Sequence, residues 1–344
     1  FINIPLVLLS IGGLLLFLHE DVEKRRHKID YAGSLLLITG TSTFLVFLLE
    51  GGDSWEWVSA PSLGLITVAL ICAAAFIRHE DRTPEPLLPL SLFRNRMIAV
   101  VNLATLVTGV LTIGVSANIP NFVQGVGGES ATIAGLSLGA MSLGWPIASI
   151  IAGRLLVVKG FRFTALLGAP PLILSSLWLV TFNEGTPPPE VAGATFVMGL
   201  GLGFTSTSFI VMVQQAVEWS QRGVVTSANM FMRQIGSALG VAVLGALINS
   251  QVKAVEIAGG ARSITTDALL DEDRRRTLSP EVIDRLSAYL TDGLHLVFLG
   301  LLATAVFGAL IMLLLPKMET PASSQRQAKA APAGQRSAWS RFRL

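Results

Sequence analysis

Between residues 199 and 249 the chain reads Gly199-Leu200-Gly201-Leu202-Gly203-Phe204, then Gln214-Gln215 and Arg222-Gly223. Asn229, Phe231, Arg233, Gln234, Gly236, Gly240 and Gly245 follow, set among apolar residues. The stretch holds parts of two apolar runs, about 189–214 and 224–249, joined by a short polar turn. Each run exceeds the roughly 20 residues a helix needs to cross about 30 Å of hydrocarbon. Glycine inside such runs argues for membrane helices, where neighbouring helices and close packing accommodate it. Two adjacent membrane spans are therefore expected.

Working outward, seven more segments read the same way: about 1–18, 29–49, 60–77, 97–119, 130–152, 163–182 and 291–315. The expected fold class is an all-α polytopic membrane protein with nine transmembrane helices. Nothing alternates apolar and polar as the strands of a membrane barrel do. Composition agrees: of 344 residues, 51% are hydrophobic and only 14% charged, against about 25% charged in soluble domains. Mean hydropathy is +0.63. An ordinary soluble enzyme, a disordered chain and a nucleic-acid-binding module are excluded, the last because 25 basic residues against 23 acidic ones give a net charge of only +2. The single cysteine, Cys72, permits no intrachain disulfide, and His19, His27, His79 and His295 are too scattered for a metal cluster.

Lys and Arg fall on alternate turns. The turns at 19–28, 78–96, 153–162 and 215–223, with the tail after 316, hold eighteen basic residues, whereas the short turns at 50–59, 120–129 and 183–188 hold none. The basic side is expected to be cytoplasmic, with the C-terminus inside a multi-pass cell-membrane protein. The loop 250–290 weighs less in this rule because it is long. Within it Ser279-Pro280-Glu281 predicts a short helix running toward the last span. The tail 317–344 is expected to be disordered beside anionic lipid.

From residue 97 onward the spans divide as three plus three, the half-unit of a transporter built on inverted three-helix repeats. The turn Gly153-Arg154-Leu155-Leu156-Val157-Val158-Lys159-Gly160-Phe161-Arg162 resembles the G-x-L-x-x-x-x-G-x-R turn of the major facilitator superfamily. The acidic residue often found in that turn is replaced by Val157 or Val158. An ordinary basic turn would read the same way. The 199–249 stretch carries the resemblance further. So do Phe1-Ile2-Asn3-Ile4-Pro5, Asp30-Tyr31-Ala32-Gly33, Glu85-Pro86-Leu87-Leu88-Pro89-Leu90 and Leu92-Phe93-Arg94. Together they resemble the fourteen-helix drug:proton antiporters of the EmrB/QacA type, in order over nearly all of 1–316.

The resemblance implies a partial major facilitator fold lacking the first five helices. By it, 1–18 is the last helix of an N-terminal six-helix domain and 29–77 are two additional central helices. Residues 78–96 are a cytoplasmic interfacial linker, 97–316 a C-terminal six-helix domain and 317–344 a tail. It further implies proton-coupled efflux of drugs or other amphipathic compounds, with the proton gradient as energy source and no cofactor. The expected partners are a small amphipathic substrate, the lipid bilayer and the missing N-terminal half. Export of a metabolite and a non-transporting membrane fragment are the alternatives. No turn gathers side chains in a catalytic spacing, so an enzyme is not expected.

Candidate cavity residues are Asn102, Thr205, Ser206, Gln214, Gln215, Asn229, Arg233 and Gln234; candidate gating residues of the basic turn are Gly153, Arg154, Lys159, Gly160 and Arg162. Arg233 lies about nine residues into its span, roughly 14 Å deep, where a charge should face protein or water. It either lines a cavity or is a structural arginine tied to helix-end carbonyls or to Gln214 and Gln215; the second is preferred. Asn229, Arg233, Gly236 and Gly240 share one helix face. Gly199/Gly203 and Gly236/Gly240 form G-x-x-x-G pairs expected to pack against neighbours. The hydroxyls of 205–208 either line a cavity or bond their own helix carbonyls. No Asp or Glu falls near mid-membrane in these spans. The coupling acid is therefore expected upstream.

Overall fold

A computed structural model of the chain describes residues 3–17, 30–51, 54–83, 90–259, 269 and 280–316. The basic turn 19–28, part of the 78–96 linker and the tail from 317 lie outside the described residues. The helices are α1 (Asn3–Phe17), α2 (Tyr31–Glu50), α3 (Ala60–Glu80), α4 (Arg96–Pro120), α5 (Ala131–Val158), α6 (Phe161–Leu167), α7 (Ala169–Val180), α8 (Pro188–Gln215), α9 (Arg222–Gly259) and α10 (Pro280–Leu313). No strand occurs among the described residues. Among the described residues eight segments are long and apolar enough to cross a membrane, and α1 is a shorter apolar helix. The protein is an all-α polytopic membrane protein.

Four boundaries differ from the sequence reading. The span at 163–182 is two helices, because Pro170 and Pro171 remove two helical N–H donors and crowd the preceding turn, so the chain breaks at Gly168. α9 runs ten residues past the expected end at 249, into the 250–290 segment. The helix expected at Pro280 does form, but it is continuous with the last span as one 34-residue helix. At about 51 Å, α10 outreaches a 30 Å hydrocarbon core. Finally, α5 continues to Val158, so Gly153 and Arg154 are helical and the turn shrinks to Lys159-Gly160. Leu155, Leu156, Val157 and Val158 suit a helix better than a turn. Gly160 makes the sharp re-entry with φ 90°, a conformation other residues rarely adopt.

α2 and α3 form an antiparallel hairpin. Asp30 caps α2 by accepting from Gly33 N–H at 2.9 Å, and His79 Nε2 lies 2.8 Å from its Oδ1. The Gly33 N–H and then His79 hold the Asp30 carboxyl below its usual range. Gly40 meets Cys72 midway along the hairpin, where an added methyl would lie 2.9 Å from the cysteine Cβ.

The six spans from α4 onward pack with a two-fold logic. α4 lies closest to α9 and α5 closest to α8; α7 and α10 close the ring. In both tight pairs residue numbers rise together, 102 to 113 against 229 to 240 and 137 to 149 against 195 to 203, so each pair is parallel. The first helix of each triplet thus packs on the second helix of the other. That is the arrangement an inverted three-helix repeat produces. The core between them is apolar, with Val101, Leu111, Met198, Leu202, Phe209, Leu294 and Leu301 essentially inaccessible. At the end remote from Arg96, Phe298 meets Phe122 and Phe182 edge to face, and those two rings are tilted at 33° to each other.

Candidate functional site

Glycine determines how closely the two helix pairs approach. A methyl added at Gly236 would collide with the Leu106 carbonyl, and one at Gly109 with the Arg233 carbonyl. The α5–α8 pair repeats the pattern: Gly199 sits on the Met141 carbonyl, Gly203 on that of Trp145 and Gly144 on that of Phe196. A serine hydroxyl crosses each seam at equivalent places. Ser237 donates to Gly109 O at 3.3 Å and Ser149 to Gly203 O at 3.5 Å. Backbones this close gain dispersion and interhelical hydrogen bonds, which drive association where water is absent.

The α4–α9 seam carries a polar clamp. Asn229 Nδ2 donates to Asn102 Oδ1 at 3.1 Å and to Thr105 Oγ1 at 2.8 Å; Thr105 in turn donates to Val101 O at 2.9 Å. Both asparagines are 2% exposed. They lie six and seven residues into their helices, about 10 Å from the same end of the bundle. Asn102 Nδ2 is buried with no hydrogen-bond partner among the described residues. Such an orphan donor is costly in an apolar interior.

The other candidates separate into distinct places. Thr205 is fully buried and donates to Gly201 O and Leu202 O of its own helix; Ser206 is 9% exposed. Gln214 Nε2 donates to Thr226 Oγ1 at 3.0 Å, tying the end of α8 to the start of α9. Gln215 and Gln234 are exposed. Arg233 is half-buried, eleven residues into α9 and so about 16 Å from its start. Neither Gln214 nor Gln215 bonds its guanidinium, and it has no hydrogen bond or ion pair among the described residues. The tie to Gln214 and Gln215 favoured by the sequence is therefore replaced by a guanidinium without a protein partner there.

In the basic turn, Arg154 and Lys159 are exposed, and Lys159 Nζ lies 5.9 Å above the Phe163 ring. Arg162 donates to Leu313 O at 3.0 Å, capping a carbonyl at the end of α10. Gly153 faces open space. The sequence reading did not single out Thr105, Thr226, Ser149 or Ser237. Thr105 shares a helix face with Asn102 and Gly109 at i+3 and i+7, and that spacing was the available signal. Among the described residues no group of His, Cys, Asp and Glu could hold a metal ion.

Two parallel, glycine-seamed pairs closed by a third pair define a transporter domain of the inverted-repeat kind. The chain belongs to the Major Facilitator Superfamily, whose family model matches residues 2–241. It is a transporter and not an enzyme. It is 27% identical over 342 residues to Multidrug resistance protein 3 of Bacillus subtilis, covering 96% of this chain and 67% of that protein. It is 30% identical over 255 residues to Multidrug transporter protein MdtP of the same organism, covering 73% of this chain and 46% of the relative. Similarity to the Tetracenomycin C resistance and export protein of Streptomyces glaucescens is 28% over 264 residues, covering 73% and 47%. The chain thus spans about two thirds of the first relative and about half of the other two.

Proposed function

We propose that these helices belong to a proton-coupled exporter of drugs or other amphipathic compounds, of the fourteen-helix type, with the basic turns on the cytoplasmic side. Family membership and the resistance and export functions named for its relatives support the class of substrate. The geometric observation that carries the reading is Arg233. A cation roughly mid-membrane that no described residue neutralises costs at least about 2.5–3.5 kcal/mol on insertion scales unless it faces water, substrate or a carboxylate. We assign it as the counter-charge for an acidic group, on the substrate or on the residue that carries the proton.

The glycine seams support a mechanism in which the α4–α10 set moves as one body. A one-residue slide along α9 would set a neighbour of Gly236 that carries a Cβ against the Leu106 carbonyl. Rocking between domains around a midplane site then exchanges access. The test is drug accumulation by everted membrane vesicles containing the intact protein, with and without a proton gradient. Accumulation that collapses with the gradient supports the reading. Gradient-independent accumulation excludes proton coupling, and none for any amphipathic drug excludes drug export.

A further inference from the structure

A cavity of about 460 Å³ lies between α2, α3 and α9. Its α9 wall is formed by Phe231, Met232, Gln234 and Ile235. At 100° per residue Phe231, Gln234 and Ile235 lie on the opposite side of α9 from the Asn229–Gly236–Gly240 face that α4 covers, with Met232 on one flank. The rest of the wall includes Leu37, Phe44, Ala73 and Phe76. Only two polar side chains reach it, and Thr41 directs its hydroxyl to its own helix, donating to Leu37 O at 2.6 Å and Ile38 O at 3.2 Å. A site for a specific small molecule carries several convergent polar groups that fix orientation. Here the Gln234 amide is the one polar group left to do so.

Position points to another occupant. The lining runs from Leu36 to Leu45 on α2 and from Ile66 to Ile77 on α3. Counted from Tyr31 and Glu80, this extends from about 5 to about 21 Å below one end of the hairpin, close to the depth of one leaflet of a 30 Å core. Leu70 and Ile77 line the cavity yet are 62% and 50% exposed, so it opens sideways. The opening is continuous with the apolar outer face formed by Leu35, Ile38 and Ile71. Apolar side chains exposed on a hairpin long enough to span a bilayer match the chemistry of a lipid chain. At the shallow end stand the exposed side chains of Arg78 and Arg82, at the level of a lipid phosphate.

We propose that this cavity holds one acyl chain of an anionic phospholipid from the leaflet at the Asp30–Arg82 end. The chain fills the space between the α2–α3 hairpin and α9, and the phosphate sits at the level of Arg78 and Arg82.

The experiment places the intact protein in nanodiscs of phosphatidylglycerol carrying a diazirine halfway along one acyl chain, irradiates them and maps adducts by peptide mass spectrometry. Adducts on Phe44, Phe231 and Ile235 are expected. Ala73→Trp, which fills the cavity, should abolish these and leave adducts on outward Leu35 and Ile71. Ile66→Trp serves as a second filling variant if Ala73→Trp does not elute as a single folded species. Adducts confined to Leu35 and Ile71 in the wild type would overturn the proposal, showing that protein or nothing occupies the cavity. So would Phe44 and Phe231 adducts that survive both filling variants, because that labelling would come from bulk lipid.

Discussion

Asn229 on α9 and Asn102 on α4, separated by 127 positions, meet through one amide hydrogen bond of 3.1 Å in an interior that admits almost no solvent. The bond is asymmetric: the Asn102 oxygen is satisfied and its nitrogen is not. The pair therefore fixes the register of two helices while leaving one donor without a partner.

That asymmetry sets an order among variants. Asn229→Leu leaves both ends of the Asn102 amide unpaired and should destabilise the fold by about 1–3 kcal/mol. Asn102→Leu also removes the orphan donor and should cost less. The double variant should lie closer to wild type than Asn229→Leu alone, with a coupling of about 0.6–1.7 kcal/mol. Unfolding in mixed micelles measures all four corners, and strict additivity would contradict the clamp.

Gly236 and Gly139 carry the same residue type in opposite surroundings. Gly236→Ala places a methyl against the Leu106 carbonyl and should cost about 1–3 kcal/mol or more, since backbone cannot easily yield. Nothing lies within 4 Å of a methyl at Gly139. Gly139→Ala should be neutral or stabilising by up to about 1 kcal/mol through helix propensity. Equal effects in a thermal-melt comparison would mean the α4–α9 seam is looser than described.

The turn glycines separate in the same way. Gly160→Ala forces a φ of 90° on a residue with a Cβ, at a cost of about 1–2 kcal/mol. Gly153→Ala, in helix and facing open space, should leave the melting temperature unchanged or raise it slightly. A neutral Gly160→Ala would show that the turn can relax to a negative φ.

Asp30 makes the α2–α3 hairpin sensitive to acid. Its folded carboxyl is held low by Gly33 N–H and His79. Stabilisation from this group is thus fully present above the ordinary carboxylate value of about 3.9 and is lost as pH falls through the lower folded value. The protection factor of the Gly33 amide, corrected for the intrinsic pH dependence of exchange, should stay constant down to about pH 5 and fall only below about pH 4. In Asp30→Asn this acid limb should vanish. Loss of protection already near pH 6 would point to a different group.

For Arg233, the counter-charge role predicts that Arg233→Ala abolishes export in the intact protein with membrane abundance unchanged, while Arg233→Lys retains part of it. Parallel loss of abundance and export would make the residue structural. Vesicle transport normalised to immunoblotted protein distinguishes the two.

The sequence by itself determined the class of fold. Runs of some twenty apolar residues have one stable solution in lipid, because every backbone N–H and C=O must be bonded within the helix. It also marked the punctuation that mattered, since Gly160 forms the turn and Pro280 opens α10. Helix ends were less legible. Residues 250–259 can continue a helix or leave it, and local composition does not choose. Pairing lay further out of reach. Asn102, Thr105 and Asn229 each read as a polar residue in an apolar run, equally suited to a cavity or a seam. Only the tertiary structure brought them together and left Arg233 without a partner among the described residues. The physical reason is that hydropathy places a residue at a depth, whereas its neighbours depend on helix rotation. In lipid, rotation is governed by close contacts such as Gly236 on Leu106, between residues far apart in the chain.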